Sequence, residues 1–445
     1  MHFLPKIGMK CEKKVLSLHP LMRKSDNIFR SDVVRNTTKL LSANVLAQVV
    51  GLLIYPLLTR LYSQDDFGLL SLFVSMGGVL ALVSTAEYQY SIVLPKDEKT
   101  AVGAWHMGGI ILCCVTLLVA LSIPFASQIA VLFKAPTLAQ WYWALPIYVF
   151  FMGLWALLNY WYSRHKQFGK IGTYQVSQSL VGAGAKAGFG AAGFTSGGLI
   201  VSAILAPFTA IGINVLTSLK SLIPLRTFDK KATQHAARTY RNFPCFSLPR
   251  ALVNNVSGNL GVWLLTPAFG LTSVGLFGMA ITLAFRPLNV ICNSIYQVLY
   301  QRTSERVQQH ESIKHIFRQL LTKTALIVGA AFLTLYFILP NLCGWLLSDG
   351  WKETGELIRL FLPWLFFSML VAPICFLADV FGKQKIGLVF EILLVAARAA
   401  GLLLGIWKQD FHMAVLAYSL SSALVICAQL VWYISLIRRY ESTLS

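Results

Sequence analysis

The sequence has little charge, few acidic residues and no motif of a soluble enzyme. Only 13% of its 445 residues are charged, and the mean hydropathy is +0.63. A soluble domain carries about 25% charged residues, so a chain this apolar is predicted to lie in a membrane. No GxxxxGK[ST] phosphate loop is present, which excludes ATP hydrolysis by that route.

The eight cysteines do not have the spacing of a metal site or of a disulfide framework. No CxxC pair occurs, and most of the cysteines lie within apolar runs. We interpret them as small apolar residues of a packed interior. No metal, no cofactor and no catalytic centre is therefore predicted, and the protein is not expected to be an enzyme.

Twelve apolar runs follow one another along the chain. A helix that crosses a bilayer needs about 20 mostly apolar residues. The fifth run is the weakest, because it is rich in Gly and contains Lys186. The sequence predicts an all-α membrane protein of about twelve transmembrane helices, with runs at 40–60, 67–93, 101–123, 140–162, 171–193, 197–219, 248–269, 274–299, 323–346, 357–381, 386–406 and 412–436.

Lys and Arg are divided unequally between the two faces that these runs imply. If the connections alternate between faces, 30 of the 38 Lys and Arg residues share the face of the N-terminus, and five lie on the other. The positive-inside rule then places both termini in the cytoplasm, with the runs in a bacterial inner membrane. The same rule explains the net charge of +20 without a nucleic-acid partner.

The two halves of the chain resemble each other in sequence. Pro146 to Lys170-Ile171-Gly172 in the first half matches Pro363 to Lys385-Ile386-Gly387 in the second. This predicts a duplication, with a substrate cavity near the midplane between two six-helix pseudo-repeats. The predicted divisions are a basic cytoplasmic tail at 1–39, an N-terminal bundle at 40–219, a cytoplasmic linker at 220–247, a C-terminal bundle at 248–437 and a cytoplasmic tail at 438–445.

Polar residues recur at helical spacing within several runs. In the first run, Asn44, Gln48, Gly51 and Tyr55 fall on a single helix face. We interpret isolated Gly, Ser and Thr residues as helix-packing positions. The other polar stripes are Gln175, Gln178, Gly182, Lys186 and Gly190 in the fifth run, Asn254, Asn255 and Asn259 in the seventh, and Thr282, Arg286, Asn289, Asn293 and Gln297 in the eighth.

Three cations lie within runs: Lys186, Arg286 and Arg398. Each costs about 2.5–3.5 kcal/mol at the centre of a bilayer unless something solvates it. The sequence therefore predicts a wet cavity in which these cations bind an anion, with Arg286 as the main contact.

The acidic residues in and beside the runs admit two interpretations each. Glu87, in line with Ser84 and Ser91, is either the binding group of a coupling ion or the partner of an arginine. Glu391 either forms a structural pair with Arg398, seven residues on, or leaves that cation free for substrate. Asp65-Asp66 precedes the second run, and a helix-capping role is favoured over a metal site.

A short amphipathic segment precedes the ninth run. Ile313, Ile316, Phe317, Leu320 and Leu321 share one helix face, and charged or amide residues occupy the other. This pattern predicts a short interfacial helix that leads into the ninth run.

Two stretches resemble a known family. The segment from Ser42 to Gly68 is similar to the first-span signature of Wzx-type O-antigen and polysaccharide flippases. The segments 243–259 and 274–280 are similar to their seventh and eighth spans. The resemblance covers about 40–445.

The resemblance implies the fold of the multidrug/oligosaccharidyl-lipid/polysaccharide exporter superfamily. It also implies a substrate, an undecaprenyl-diphosphate-linked oligosaccharide that moves from the cytoplasmic to the periplasmic leaflet. Membrane lipid, a polysaccharide polymerase and a chain-length regulator are the other expected partners. The residues expected to bind the substrate rest on their spacing, and they are Arg286, Lys186, Arg398, Asn44, Gln48, Asn255, Asn259, Asn289 and Asn293; Glu87 is expected to serve ion coupling.

Two alternative functions fit the sequence less well. A multidrug antiporter of the same superfamily would prefer an acidic lumen for cationic drugs, and here cations outnumber acids within the runs. A membrane-embedded polysaccharide polymerase would need a large outer loop, and the predicted outer loops are all short.

Overall fold

The computed structural model of the chain describes residues 42–444, the side chain of Gln297 excepted. The predicted tail at 1–39 lies outside the described residues. Twelve long helices account for most of the described chain: α1 (Ser42–Leu61), α2 (Gln64–Ser84), α3 (Glu98–Leu121), α4 (Leu145–Arg164), α5 (Phe168–Ala191), α6 (Ser196–Thr217), α7 (248–269), α8 (271–308), α9 (Lys314–Leu347), α10 (Lys352–Val371), α11 (Gln384–Trp407) and α12 (Phe411–Glu441).

The predicted number of crossings is confirmed. Ten helical segments among the described residues are long and apolar enough to span a membrane. One of them runs from Phe243 to Gln308, and its roughly 100 Å length is about three times the thickness of a hydrocarbon core. It makes two crossings, α7 and α8. The twelfth is α5, whose many glycines lower its hydropathy although its 24 residues suffice to cross.

Gly270 reverses the chain between α7 and α8. Its φ of 82° and ψ of 178° interrupt an otherwise helical stretch. This combination is essentially restricted to glycine, because a Cβ would clash with the backbone. A single residue therefore replaces the loop that two antiparallel crossings would otherwise need.

The predicted linker between the halves contains helices of its own. A short helix, Lys230–Thr239, starts at Asp229, whose side chain accepts hydrogen bonds from the N–H groups of Lys231 and Ala232. It packs closely on α3, because a Cβ at Gly103 would lie 2.5 Å from the carbonyl oxygen of Ala232. The linker is thus attached to the N-terminal half.

The two halves meet at the end of the bundle that holds the α1–α2 and α9–α10 connections, which we call the sealed end. The Thr59 hydroxyl donates to the Leu347 carbonyl, and the indole N–H of Trp351 donates to the Thr59 carbonyl over 3.2 Å. Phe67 packs edge-on against Trp351 with 5.2 Å between ring centroids. These buried contacts join the first half to the second.

Two glycines bring α2 and α8 together at the sealed end. A Cβ at Gly68 would lie 2.0 Å from the carbonyl oxygen of Leu271, and a Cβ at Gly275 would lie 2.0 Å from that of Gln64. No side chain larger than the hydrogen atom of glycine fits between the helices at these positions. The backbones of the two halves therefore touch directly.

Asp66, the second residue of the acidic pair at the start of α2, caps the helix, as the sequence predicts. Ser63 and Asp66 form a capping box, in which the Ser63 hydroxyl accepts from the Asp66 N–H and the Asp66 carboxylate accepts from the Ser63 N–H. The carboxylate of Asp65 accepts a hydrogen bond from the Thr272 hydroxyl over 2.5 Å. Asp65 thus adds a further contact between the halves.

One sequence-based expectation about a helix boundary is wrong. The second run is not one helix over 67–93, because α2 ends at Ser84 and residues Ala86 (φ 45°) and Glu87 (φ 64°) adopt left-handed conformations. The short helix predicted before the ninth run leads into it without a break. It forms the first turns of α9, where Phe317 is buried in the core.

Candidate functional site

A cavity of about 390 Å³ lies in the N-terminal half, next to α8; we call it the polar cavity. Asn44 and Tyr55 mark its extent along α1, and 11 residues of helix span roughly 16 Å. Tyr55 is one turn from Thr59, so the cavity begins just below the sealed end. Its polar lining residues are Asn44, Gln48, Tyr55, Tyr148, Gln175, Gln178, Ser179, Lys186, Ser202 and Arg286.

Helical periodicity explains why these side chains share one cavity. Asn44, Gln48, Gly51 and Tyr55 all line it, which is the α1 face that the sequence predicts. The α5 stripe also lines it, from Gln175 to Lys186. Gly190, at the end of that stripe, instead packs against Leu61.

Arg286 enters the polar cavity from the other half of the molecule. It is carried by α8, yet its guanidinium carbon lies 5.8 Å from the ring centroid of Tyr55 on α1. Gly51 makes room for it, because a Cβ there would lie 2.9 Å from Arg286 Nη1. The site is therefore shared between the two halves.

The polar cavity is electropositive. Lys186 and Arg286 line it, and among residues 42–444 no Asp or Glu does. Within residues 42–444, no ion pair reaches either cation. Two cations surrounded by amides and hydroxyls can hold an anionic group and, beside it, a group rich in hydroxyls.

Some lining residues were not predicted from the sequence. Tyr148 from α4 and Ser202 from α6 have no polar neighbours at helical spacing that would mark a stripe. Ser179 lies beside the predicted α5 face, and its hydroxyl donates to the Ala47 carbonyl over 2.6 Å. That bond holds α5 against α1.

Arg398 is not brought to the polar cavity. It is 7% exposed and lies in the C-terminal half, where it donates hydrogen bonds to the hydroxyls of Ser422 (3.1 Å) and Ser257 (2.9 Å). Its guanidinium also stacks over Trp364 and Tyr418 at 4.8 and 5.2 Å. A substrate contact by Arg398 stays a prediction.

A pairing of Glu391 with Arg398 is not formed. Glu391 Oε1 instead lies 3.8 Å from Arg250 Nη2, on α7. Both residues line a second cavity of about 490 Å³, whose polar lining residues are Glu87, Tyr90, Ser247, Arg250, Asn254, Asn255 and Glu391.

Glu87 is buried at the wall of this second cavity, in the connection between α2 and α3. It is 3% exposed, and its Oε1 has no hydrogen-bond partner among the described residues. Burial raises the pKa of Glu87, although a hydrogen bond with the Gln89 side chain acts in the opposite direction. The neutral acid is therefore favoured over a wider pH range than for an exposed glutamate.

The predicted asparagines occupy different positions. Asn255 lines the second cavity. The Asn259 side-chain amide donates to the backbone and side-chain oxygens of Asn255 over 2.9 Å. Asn289 and Asn293 are exposed on α8, one and two turns from Arg286. Of the expected binding residues, only Asn44, Gln48, Lys186 and Arg286 meet in one cavity.

Replacing Gly51 with Ala is expected to weaken whatever function Arg286 serves. The added methyl must displace the end of the Arg286 side chain. If this weakens the contact that Arg286 makes by about 1 kcal/mol, transport should fall about fivefold. The resemblance in sequence implies polysaccharide export, so the measurement is surface polysaccharide in cells that depend on the variant, at matched membrane levels. Gly184→Ala on α5 is the control, because a Cβ there meets nothing within 4 Å. Equal activity of the two variants would contradict the expectation.

Comparisons with known proteins were made at the level of sequence and of structure. No curated protein sequence matches the chain. The solved structure of the lipid II flippase MurJ, in an inward closed conformation, superposes with a TM-score of 0.67, at 13% identity, covering 92% of this chain and 91% of that one.

Two transporter structures are also similar. An inward-facing multidrug resistance MATE transporter of the MOP superfamily gives a TM-score of 0.56 at 12% identity, covering 91% of this chain and 95% of that one. A MOP superfamily transporter from Pyrococcus furiosus gives 0.56 at 12% identity, covering 92% and 96%. The chain therefore has the exporter fold that the sequence predicts, built from two six-helix pseudo-repeats.

One family model matches the sequence itself. It is described as a polysaccharide biosynthesis protein, and the match covers residues 57–356, which is more than half of the chain. The matched region contains the sealed end, most of the polar cavity and both cations that line it. The chain belongs to the polysaccharide biosynthesis protein family.

Proposed function

We propose that the protein is a flippase that moves an undecaprenyl-diphosphate-linked oligosaccharide from the cytoplasmic to the periplasmic leaflet of the bacterial inner membrane. Family membership supports a role in polysaccharide assembly, and the exporter fold supports transport rather than catalysis. The fold alone does not choose between drugs and lipid-linked sugars. The charge of the site supports a lipid-linked sugar rather than a cationic drug.

The observation that carries the proposal is that Lys186 and Arg286 share a cavity that no acid of the described residues lines. A diphosphate joined to a hydrophilic sugar cannot cross about 30 Å of hydrocarbon unaided. Two cations can bind the diphosphate, and Asn44, Gln48 and Gln178 can hydrogen-bond sugar hydroxyls. A cationic drug would be repelled from the same cavity.

The orientation of the proposed transporter follows from the distribution of Lys and Arg. Because 30 of the 38 share the face of the N-terminus, that face is proposed to be cytoplasmic. The sealed end is then periplasmic, and the substrate enters the polar cavity from the cytoplasmic side. Its lipid tail stays in the bilayer while the halves rock about the site.

We further propose Glu87 as the group that couples transport to an ion. It is buried, it lacks a partner for one carboxyl oxygen, and it borders a cavity formed by both halves. Glu87 adopts a left-handed conformation, which is strained for a residue other than glycine. Such strain is typical of functional positions. Proton or sodium binding there would change the charge between the halves.

Depletion of the protein tests the proposed function. We expect undecaprenyl-diphosphate-linked oligosaccharide to accumulate in the cytoplasmic leaflet and surface polysaccharide to disappear, with both restored by a plasmid copy. Lipid extraction with mass spectrometry measures the first, and immunoblotting of surface polysaccharide the second. Normal surface polysaccharide combined with new sensitivity to cationic drugs would instead identify a multidrug antiporter.

A further inference from the structure

A charged groove distinct from both cavities lies between the start of α9 and the end of α12, at the end of the bundle opposite the sealed end. Its volume is about 380 Å³. Three cations line it: Lys314 and Arg318 lie one turn apart on α9, and Arg438 faces them from α12. It shares no lining residue with the polar cavity. We call it the basic groove.

The three cations of the basic groove have no compensating acid in an ion pair. All three side chains are exposed, and within residues 42–444 no ion pair includes any of them. Glu441 is close, but its carboxylate accepts hydrogen bonds from the Ser312 hydroxyl (2.9 Å) and from the N–H groups of Ile313 (2.8 Å) and Lys314 (2.9 Å). It therefore caps α9.

The position of Lys314 on α9 makes an added anion favourable. Lys314 is the first residue of the helix, where the macrodipole is positive and cations are disfavoured, and Arg318 lies one turn further along. Arg438, at the C-terminal end of α12, is placed favourably by the same rule. An anion between the helices would be attracted by all three cations and would offset the unfavourable position of Lys314.

The groove changes from charged to apolar along its length. On α9, Leu321 follows Arg318, and on α12, Ile434 lies one turn further inside than Arg438. Charge at the helix ends and apolar side chains towards the middle of the bilayer match the order of headgroup and acyl chain in a phospholipid. A free phosphate ester would use only the charged part.

We propose that the basic groove binds one anionic phospholipid, with its phosphate between Lys314, Arg318 and Arg438 and an acyl chain along Leu321 and Ile434. Basic pockets between transmembrane helices on the cytoplasmic side are typical sites for anionic headgroups. The bound lipid would join α9 to α12 at the end opposite the seal. The proposal stands independently of what the polar cavity transports.

Native mass spectrometry of the purified full chain tests this site. The probe is phosphatidylglycerol, with phosphatidylethanolamine as the zwitterionic comparison. We expect the variant Lys314→Gln/Arg318→Gln/Arg438→Gln to bind phosphatidylglycerol at least about tenfold more weakly than the unaltered protein. The matched control removes three exposed cations outside the groove, Lys230→Gln/Lys231→Gln/Arg238→Gln, and should bind as the unaltered protein does.

Four results would overturn the proposal: full binding by the groove variant, an equal loss in the control, equal affinity for phosphatidylethanolamine, or displacement of the lipid by soluble glycerol 3-phosphate. The last result would show a free phosphate-ester site. If the triple variant fails to fold, the single change Arg438→Gln at the end of α12 is measured instead. It should still weaken phosphatidylglycerol binding several-fold, and unchanged binding would count against the lipid site.

Discussion

Replacing Arg286 with Ala is expected to abolish translocation while the protein inserts normally. Charge-assisted hydrogen bonds of the kind proposed here contribute about 1.5–3 kcal/mol, so their loss should slow transport at least tenfold. Insertion should not suffer, because removing a cation from a span relieves an unfavourable transfer energy of about 2.5–3.5 kcal/mol. Arg286→Lys should keep partial activity, since an ammonium attracts phosphate but cannot form a bidentate contact.

The measurement for Arg286 is surface polysaccharide at membrane levels matched by immunoblotting. Arg302→Ala is the control, because Arg302 is carried by the same helix, is exposed and lies outside the polar cavity. Normal export by Arg286→Ala, or a loss explained by missing protein, would end the proposal that this residue contacts the diphosphate.

Replacing Gly68 with Ala is expected to open the sealed end. The new Cβ would overlap the carbonyl oxygen of Leu271 at 2.0 Å, and a backbone atom cannot move aside as a side chain can. Overpacking of this kind costs about 1–3 kcal/mol, which shifts a two-state equilibrium about fivefold to a hundredfold. The shift favours the conformation in which α2 and α8 are apart.

Accessibility of a cysteine in the polar cavity reports this shift. In a background without native cysteines, Ala203→Cys lines the cavity. A membrane-impermeant maleimide added from the periplasm should label it faster in the Gly68→Ala protein. Gly78→Ala on the same helix is the control, because a Cβ there meets nothing within 4 Å. If labelling rates do not differ, the glycine contact does not hold the seal.

The sequence predicted helices and helix faces well, because both follow from local periodicity. The α1 face from Asn44 to Tyr55 lines the polar cavity as expected. Periodicity also placed Lys186 on the same α5 face as Gln175 and Gln178. These predictions need no knowledge of which helices are neighbours.

The sequence could not reveal which faces meet. Arg398 faces inward, as expected for an intramembrane cation, but it faces the interior of its own half, where Ser257 and Ser422 are its partners. Glu391 pairs with Arg250 on another helix rather than with a residue of its own helix. Contacts between distant segments depend on packing, which a helical repeat does not encode.

Glu87 illustrates a different limit. Its neighbours Ser84 and Ser91 have helical spacing, so a straight helix was the simplest expectation. Two successive residues with positive φ, Ala86 and Glu87, break that helix without any glycine or proline to mark the position. The surrounding segment is buried, and the Tyr88 hydroxyl donates to the Ala237 carbonyl over 3.0 Å, contacts that helical spacing does not reveal.

The division of the polar cavity between the halves has a consequence for release of the substrate. Lys186 and the amides belong to one half, and Arg286 belongs to the other. An anion bridging them would be held by both only while the halves are close at this level. If the proposed rocking separates the halves at the level of the polar cavity, the two cations move apart and the affinity for the anion falls without any other change. Because Arg286 reaches into the cavity from the other half, the affinity for the substrate would depend on conformation. The step that exposes the substrate would then also weaken its binding.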